Sequence, residues 1–520
     1  MLIFDRHAAH QAEPAEATAA PRRSTDCVAA RVWSVRGVPR LATDATVKRP
    51  AVRWVAVLVF VADCILILAW SRRQPPILRQ VCTYELPPAI AFQSVPVVAG
   101  NRIVVTLPDE THAIDARTCA RVWRVDHHVS GDAWLANRGA VLADGAVIRG
   151  MPDGWLIALD LVSGSERWRR QVADPSRNEA LTMQPAVLDS LVFIGPAGSE
   201  DAVHGWIGAF RIRDGTPIWR FDTLEPSTWE GAAPAGGSVW TRFSVDSVNS
   251  VVYAATTNPS PDFAPEQRPG SNLYTNSLIA LDARTGRLRW YRQLVPNDFH
   301  DWDLTQAGPL VGGLIIAAGK DGIVRGLRTV DGEVAWQTPV ARQENTTAPV
   351  TESGTHVCPG GFGGVMWSTP AHSTSAGLVY VPSVDICGTF YRDSTEGGGL
   401  GGYFRPDSVR TGSLTAIDPR TGVIRWRYQS AAPMLAGVVA LGDLVITGEM
   451  RGDVIAFDAA TGRVRERHRI GPQVGAGIAA YAVGGRRYLA ALSGSVSPIV
   501  PLSHWGVPRV TIFELTRASR

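Results

Sequence analysis

Beyond residue 80, the hydrophobic positions fall into short runs separated by polar turns. Apolar runs such as Leu191–Ile194 and Leu444–Thr447 each precede a turn built from Asp, Thr or Ser and Gly. Short apolar runs bounded by turn residues predict β-strands rather than long helices. The 51 glycines and 35 prolines favour many turns in the same way. We therefore expect an all-β fold.

An eleven-residue pattern, Ala-x-Asp-x-x-Thr/Ser-Gly-x-x-x-Trp, recurs along the chain, and we call it the Trp tag. The Asp and Thr are expected to bond the turn backbone, Gly to adopt a positive φ, and Trp to pack against the neighbouring unit. Successive copies start 40 to 51 residues apart, except for two wider intervals of 71 and 90. Three full and four degraded copies begin at Ala113, Ala158, Ala209, Ala280, Gly326, Ala416 and Ala456.

Four-strand units repeated every 40 to 50 residues are typical of propeller blades. Residues 477–492 and 509–515 supply strands for an eighth, untagged blade, and a strand between residues 80 and 107 would close the ring. The sequence thus predicts an eight-bladed β-propeller with tryptophan-tagged blades over residues 80–516. The two wide intervals predict insertions, where loops carry function.

The N-terminal region differs from this repeat. Residues 1–53 are rich in Ala, Arg and Pro without periodicity, which predicts a disordered tail. Residues 54–71 form an apolar run with one acid, Asp63, and predict one N-terminal transmembrane helix that is either an anchor or an uncleaved signal. A cleaved signal peptide and a core segment are the alternatives. The anchor predicts a protein of the inner membrane with its propeller in the periplasm.

Charge and cysteine content exclude several functions. A net charge of +3 in 520 residues provides no concentrated basic face for nucleic acid. No CxxC or CxxCH motif occurs, which argues against a zinc ribbon and an attached haem. Four of the six cysteines lie beyond the apolar run, an even number that suits an exported domain with disulfides.

Oxygen donors cluster just after the tag that begins at Ala280. Asp298, Asp301 and Asp303 lie within six residues in the segment PNDFHDWDLTQ. Glu200 and Asn258 lie in Gly/Pro-rich loops that follow strands. Hard cations prefer such oxygen ligands, so the set suggests a metal site. A solvated acidic turn is the alternative interpretation.

Longer motifs make the interpretation specific. The stretch from NPSPDF to WDLTQ, GGSVW at 236–240, KDGIV at 320–324 and CPGGFGGVMW at 358–367 resemble the pyrroloquinoline quinone (PQQ)-dependent alcohol and glucose dehydrogenases. The resemblance covers roughly residues 80 to 515. It implies an eight-bladed propeller that binds PQQ and a Ca²⁺ or lanthanide ion. It also implies oxidation of an alcohol or sugar by hydride transfer to PQQ.

The resemblance assigns roles to individual residues. Glu200, Asn258 and Asp301 match metal ligands, and Asp301 also matches the general base. Asp303 matches an additional ligand of lanthanide-using members, although glucose-type members also carry it. Lys320 matches a position beside the reactive quinone oxygen. The choice between Ca²⁺ and a lanthanide stays open at this point.

The remaining assignments concern the cofactor and a disulfide. The candidate PQQ contacts, besides Lys320, are Arg138, Thr182, Ser238, Trp240 and Trp367. Cys358 and Cys387 match a cysteine pair of the family, and a Cys82–Cys119 pair is a second expectation. The family often has adjacent cysteines above PQQ and an Asn before the final Trp. Here Asp132-Ala133 and Met366 occupy those positions.

A non-catalytic function is the alternative. Outer-membrane assembly propellers share the Trp tag and bind proteins as scaffolds in the cell envelope. Such a scaffold would not need this set of metal ligands together with Lys320. If the protein is a dehydrogenase without haem, its electrons pass to a separate cytochrome c or to membrane quinone.

Overall fold

The computed structural model describes residues 76–89, 91–129, 136–395, 399–494 and 506–516. Within these ranges, almost all regular structure is β-strand, and the helices are one-turn 3₁₀ segments. The 3₁₀ segments are Pro175–Arg177, Ser199–Asp201, Pro226–Thr228 and Pro265–Gln267. The predicted all-β class is confirmed.

The strands follow one another in short antiparallel series. The first nineteen are β1 (Leu78–Glu85), β2 (Phe92–Val95), β3 (Val97–Ala99), β4 (Arg102–Thr106), β5 (Glu110–Asp115), β6 (Arg121–Asp126), β7 (Asn137–Gly139), β8 (Val141–Ala143), β9 (Ala146–Gly150), β10 (Trp155–Asp160), β11 (Glu166–Gln171), β12 (Ala186–Leu188), β13 (Leu191–Ile194), β14 (Trp206–Arg211), β15 (Pro217–Asp222), β16 (Ser244–Asp246), β17 (Val251–Ala255), β18 (Ser277–Asp282) and β19 (Leu288–Gln293). The others are β20 (Leu304–Val311), β21 (Leu314–Gly319), β22 (Ile323–Arg328), β23 (Val334–Pro339), β24 (Thr355–Val357), β25 (Ala371–Ser373), β26 (Leu378–Asp385), β27 (Gly388–Arg392), β28 (Gly402–Pro406), β29 (Thr411–Ile417), β30 (Ile424–Ser430), β31 (Val439–Leu441), β32 (Leu444–Glu449), β33 (Asp453–Asp458), β34 (Val464–Arg469), β35 (Ile478–Val483), β36 (Arg486–Ser493) and β37 (Arg509–Leu515).

The described strands form eight four-stranded antiparallel sheets, which are the blades of a propeller. Blades 1 to 5 are β3–β6, β8–β11, β12–β15, β16–β19 and β20–β23. Blade 6 is β25-β26-β29-β30, blade 7 is β31–β34, and blade 8 is β35-β36-β37-β1. A three-stranded sheet, β24-β27-β28, and a two-stranded parallel pair, β2-β7, are additions to the blades.

The ring is closed. The first strand of each blade contacts the first strand of the next blade, and β35 of blade 8 contacts β3 of blade 1. The outermost strand of blade 8 is β1, which pairs with β37 from Leu78 opposite Leu515 to Glu85 opposite Arg509. The predicted closure between the two ends of the repeat region is therefore present, and it removes open sheet edges between these strands.

Apolar side chains pack between adjacent blades. One buried cluster joins strands of blades 2, 3 and 4, and another joins blade 1 with blade 8. Each blade is apolar on the faces that its neighbours cover, so the core is distributed around the ring rather than concentrated in one place.

The Trp tags connect neighbouring blades as the sequence predicted. The Trp168 ring lies against Gly215 of the next tag, where an added Cβ would approach it to 2.7 Å, and its Nε1 donates to Ile212 O at 3.0 Å. Gly215 has φ of +70°, the conformation that the turn requires. The same pair of contacts recurs from Trp123, Trp219, Trp290, Trp336 and Trp426.

Two disulfides are present. Cys358 bonds Cys387, which confirms the expected pair, and Cys82 bonds Cys119, which confirms the second expectation. Cys119 occupies the Gly position of the first tag and keeps its positive φ of 60°. The bond to Cys82 thus attaches the turn of blade 1 to strand β1.

The predicted membrane segment, residues 54–71, lies outside the described residues. Within the ranges that the structure describes, no helix is long and apolar enough to cross a membrane. The predicted localisation at the inner membrane through an N-terminal anchor is therefore wrong. The described chain is built from strands and one-turn helices, which do not provide the length that a spanning helix needs.

The two ends of the propeller carry different loops. In a four-stranded antiparallel blade, the turn between strands 3 and 4 lies at one end. The loop between strands 2 and 3 and the connection to the next blade lie at the other. The tags occupy the first end. The long segments at 223–243 and 256–276, and the sheet β24-β27-β28, all belong to the second end, which we call the loop end. The predicted insertions are therefore grouped at one end.

Candidate active site

Three carboxylates meet at the loop end. Glu200 lies between β13 and β14 of blade 3, whereas Asp301 and Asp303 lie in the connection from blade 4 to blade 5. One oxygen from each of the three carboxylates lies within 4.8 Å of the others. Residues that are about 100 positions apart in the chain thus form a compact oxygen cluster, the arrangement that hard cations require.

Asn258 is hydrogen-bonded to this cluster. Its backbone N–H donates to Asp303 Oδ1 at 3.0 Å, which joins the loop after β17 to the acidic loop. The side chain is fully buried, and its Oδ1 has no hydrogen-bond partner within the protein. A buried carbonyl oxygen without a partner is costly unless a ligand satisfies it. The four residues therefore fit a bound cation.

Lys320 is the positive charge of the site. It follows β21, and its Nζ lies 2.7 Å from Asp301 Oδ1 and 2.8 Å from Asp303 Oδ2. Burial alone would lower the pKa of this amine. The neighbouring carboxylates Asp301, Asp303 and Glu200 outweigh that effect, so the pKa of Lys320 is raised and the amine is an ammonium.

The acids affect one another. Burial and then the nearby carboxylates raise the pKa of Asp301 well above its ordinary value, while Lys320 works in the opposite direction. Burial and the charge of Asp303 raise the pKa of Glu200 in the same way. Several negative charges share one ammonium, so an added cation would relieve their repulsion.

The acidic loop is held in shape by its first acid. Asp298 accepts the backbone N–H of His300 at 3.0 Å and that of Trp302 at 2.9 Å. This turn places Asp301 at a φ of +56°, an uncommon conformation for a residue with a side chain. Asp298 therefore orients the loop and lies outside the group of carboxylates that approach one another within 4.8 Å.

Trp240 and Arg138 lie together beside the carboxylates. The Trp240 Nε1 donates to Asp303 Oδ2 at 3.1 Å, and the Arg138 guanidinium lies 4.5 Å from the centre of the Trp240 ring. Arg138 also donates to Thr182 Oγ1 at 2.8 Å. The aromatic ring and the guanidinium provide an apolar face and a positive charge next to the cluster. That combination fits a flat anionic cofactor such as PQQ.

The other candidate contacts are placed differently. The Ser238 hydroxyl is buried and bonds the hydroxyls of Ser199 and Thr257 at 2.9 Å each. Trp367 donates its Nε1 to Gly475 O at 2.8 Å, in the connection from blade 7 to blade 8. Met366 is buried in an apolar cluster with Val384 and Ile386. Both Ser238 and Trp367 thus already have partners within the protein.

Sequence reasoning missed a second group of residues around Asp301. A Cβ at Gly361 would lie 3.3 Å from Asp301 Oδ2 and 3.7 Å from the rings of Phe390 and Phe404. Gly361 therefore lies directly beside the carboxylate and the two aromatic rings, where a larger residue would contact all three. Phe390 and Phe404 lie on β27 and β28 of the inserted sheet. The CPGG motif was visible in the sequence, but the rings that it meets have no local signal.

The chain is similar in sequence to two described families and to several dehydrogenases. Residues 65–314 match the family described as "PQQ: Glucose/ethanol/alcohol dehydrogenase, beta-propeller domain", and residues 410–499 match "Outer membrane protein assembly factor BamB". A quinohemoprotein alcohol dehydrogenase of Comamonas testosteroni is 27% identical over 82% of this chain and 68% of its own length. A lanthanide-dependent methanol dehydrogenase of Methylorubrum extorquens is 26% identical over 77% and 79%. A Pseudomonas protein named lupanine 17-hydroxylase [cytochrome c] is 29% identical over 75% and 65%.

Several solved propeller structures are similar in fold to this chain. The crystal structure of the Comamonas testosteroni enzyme has a TM-score of 0.76 at 25% identity, covering 85% of this chain and 77% of that one. A europium-containing methanol dehydrogenase has a TM-score of 0.74 at 22% identity, with 84% and 93% covered. BamB from Moraxella catarrhalis has a TM-score of 0.51 at 17% identity, with 84% and 100% covered. The last two likenesses concern the fold alone.

Proposed function

We propose that this chain, whose residues 65–314 match the propeller domain of the PQQ-dependent dehydrogenases, oxidises an alcohol or a sugar with PQQ and a bound Ca²⁺ or lanthanide ion. The observation that carries the proposal is the meeting of three carboxylates with an ammonium, beside the buried Asn258, whose amide oxygen has no partner in the protein. A protein-binding scaffold has no need for such a group. Such a group of charges lowers the stability of the fold, because like charges are buried together.

The ligands divide between the two bound groups. Glu200, Asn258, Asp301 and Asp303 would hold the cation, and Arg138, Thr182 and Trp240 would hold the cofactor. When bound, PQQ supplies a two-electron acceptor and the cation supplies a Lewis acid. The remaining chemistry is performed by the side chains of this chain.

Asp301 is the general base of the proposal. One of its oxygens faces the ammonium of Lys320, and the other faces Gly361, the side on which the proposal places the space for a substrate. A substrate hydroxyl in that space would donate its proton to Asp301 Oδ2. Lys320 favours the ionised form of Asp301 and opposes the effect of burial, because an adjacent positive charge stabilises the carboxylate. Phe390 and Phe404 would provide apolar surface on that side of Asp301.

We also propose that the cation is a lanthanide in preference to Ca²⁺. Asp303 is buried and its carboxylate points into the cluster, so it does not turn outward to solvent as the alternative interpretation of that residue required. A third carboxylate increases the negative charge available to a trivalent ion. The number of charged ligands tunes affinity for hard cations.

The electron acceptor of the proposal is a separate cytochrome c. These 520 residues contain no CxxCH motif for an attached haem, which favours a separate electron carrier. The name of one similar protein includes cytochrome c, which supports this choice over a membrane quinone.

Reconstitution tests the proposal. The full-length chain, stripped of metal with a chelator, is incubated with PQQ and either Ca²⁺ or La³⁺, and reduction of an artificial dye is followed with a panel of alcohols and sugars. We expect oxidation that requires both PQQ and metal, and that Asp301→Asn abolishes. Asp282→Asn in a tag turn is the matched control. A protein that binds PQQ and metal but oxidises no member of the panel would support the scaffold alternative.

A further inference from the structure

The orientation of the Asn258 side chain has a specific cause. Its Nδ2 donates to Asp262 Oδ1 at 2.7 Å and to Pro259 O at 3.2 Å, while its Oδ1 has no partner in the protein. The two ends of an amide differ chemically, because only the oxygen can bind a cation. Which end faces a site is determined by the hydrogen bonds that the other end makes. Here the strongest of those bonds is the one to Asp262.

Asp262 is itself outside the oxygen cluster. The three carboxylates that approach one another to within 4.8 Å are those of Glu200, Asp301 and Asp303. Asp262 is almost completely buried, four residues after Asn258 in the same loop. A buried acid beside a crowded negative site raises the repulsion there, so some other interaction must account for its presence.

The position of Asp262 is fixed by Arg268. The buried guanidinium donates to Pro261 O at 2.8 Å and to Asp262 O at 3.1 Å, and it also donates to Asp298 O. Arg268 thereby joins the loop that carries Asn258 to the loop that carries Asp301 and Asp303. The acceptor oxygen of Asp262 is therefore held at a defined place relative to all of the candidate ligands.

We propose that Asp262 is a positioning residue for the cation site: its carboxylate oxygen holds the Asn258 amide so that Oδ1, and not the NH₂ group, faces the three carboxylates. This inference rests on the proposed metal-dependent function and extends it to a residue that binds neither cation nor cofactor. Outer-sphere partners of this kind orient metal ligands, and their loss typically weakens metal affinity about 10- to 100-fold.

Direct metal titration of the full-length chain tests the inference without using activity. Chelator-stripped protein is titrated with La³⁺ and with Ca²⁺ by calorimetry, for Asp262→Asn, Asp262→Ala, Asn258→Leu and the double variant Asn258→Leu/Asp262→Ala. Asp262→Asn retains an oxygen that can accept from Asn258, so we expect affinity within about 3-fold of wild type. Asp262→Ala leaves the amide with only its longer bond to Pro259 O, and we expect a loss of about 10- to 100-fold.

The double variant isolates the mechanism. If Asp262 acts through Asn258, the Asp262→Ala change has no further effect once Asn258 is Leu. An additional loss in that background would mean that Asp262 acts through its charge, and would overturn the proposal. Equal losses in Asp262→Asn and Asp262→Ala would overturn it for the same reason.

Two controls separate folding and function from positioning. Asp418→Asn alters a buried aspartate of a tag turn at the opposite end of the propeller, and its metal affinity should equal that of wild type. Circular dichroism of each variant establishes that the blades are intact. Wild-type protein that binds neither ion would contradict the proposed metal-dependent function. Wild-type binding with unchanged affinity in every Asp262 variant would contradict only this inference.

Discussion

The two ends of the propeller use aspartate in opposite ways. In the tag turns, Asp282 accepts hydrogen bonds from the backbone N–H of Arg284 and Thr285 and from the Arg289 guanidinium, near the surface. These donors, first of all Arg289, lower the pKa of Asp282 to about 2. At the loop end, burial and neighbouring carboxylates raise the pKa of Asp301 well above its ordinary value.

The difference shows where this fold tolerates unfavourable electrostatics. Each tag aspartate stabilises its own turn and is repeated around the ring, so no single one is essential. The acids of the oxygen cluster lie outside the tag and do not recur with it, and their burial together opposes folding. The proposed cation would offset the repulsion among these buried acids, whereas the tags need no ligand.

The largest effect is expected from the base. Asp301→Asn removes the proton acceptor while keeping the shape of the side chain, and turnover in the dye assay should fall by about 10²- to 10⁴-fold. Thermal unfolding should change little, because a buried like charge is removed at the same time. Turnover close to that of wild type, with PQQ bound, would mean that another group is the base.

Substitutions at the tag end should lower the stability of the fold and leave turnover nearly unchanged. Trp336→Ala removes a buried ring that lies on Gly422 and donates to Pro419 O at 2.8 Å. Loss of a buried aromatic ring typically costs about 3 to 5 kcal/mol. The midpoint of urea unfolding should fall, while turnover per folded molecule should stay within about 2-fold. Unchanged stability would contradict the view that the tags hold the blades together.

Selectivity between cations should depend on Asp303. Asp303→Ala removes one carboxylate from the cluster, so affinity for La³⁺, measured by calorimetry, should fall by about 10-fold more than affinity for Ca²⁺. Asp298→Ala is not a suitable control because it alters the loop, whereas Asp282→Asn leaves the site intact. Equal losses for the two ions would argue against a lanthanide preference.

The smallest effect concerns pH. Because the pKa of Asp282 is lower in the folded chain than the value of about 4 in unfolded peptides, its stabilising effect is present above pH 4 and is lost as pH falls towards 2. Asp282→Asn should therefore be less stable than wild type at pH 7, by no more than about 1 kcal/mol for such an exposed group. Urea unfolding at several pH values should show this difference disappearing between about pH 4 and 2.

The sequence predicts the fold better than it predicts the surroundings of the site. Each tag contains its own turn, so the roles of its Gly and Trp could be predicted from the tag sequence alone. The number of blades was predicted mainly by counting the tags. The acids of the cluster could be singled out because they interrupt that pattern. The partners of these acids could not be read in this way. Arg268 and Gly361 act on loops that only the folded chain brings to them, and no periodicity marks either residue.

The pairing of β1 with β37 also governs the order in which the protein can be completed during synthesis. Blades 3 to 5, which carry the oxygen cluster, are finished when less than two thirds of the chain has left the ribosome. Strand β1 emerges before any of them, yet its partner in blade 8 is the last strand to appear. Until then β1 is an unpaired edge that other nascent chains can join. Emergence of the seven residues of β37 is therefore the event that ends this exposure to misassembly.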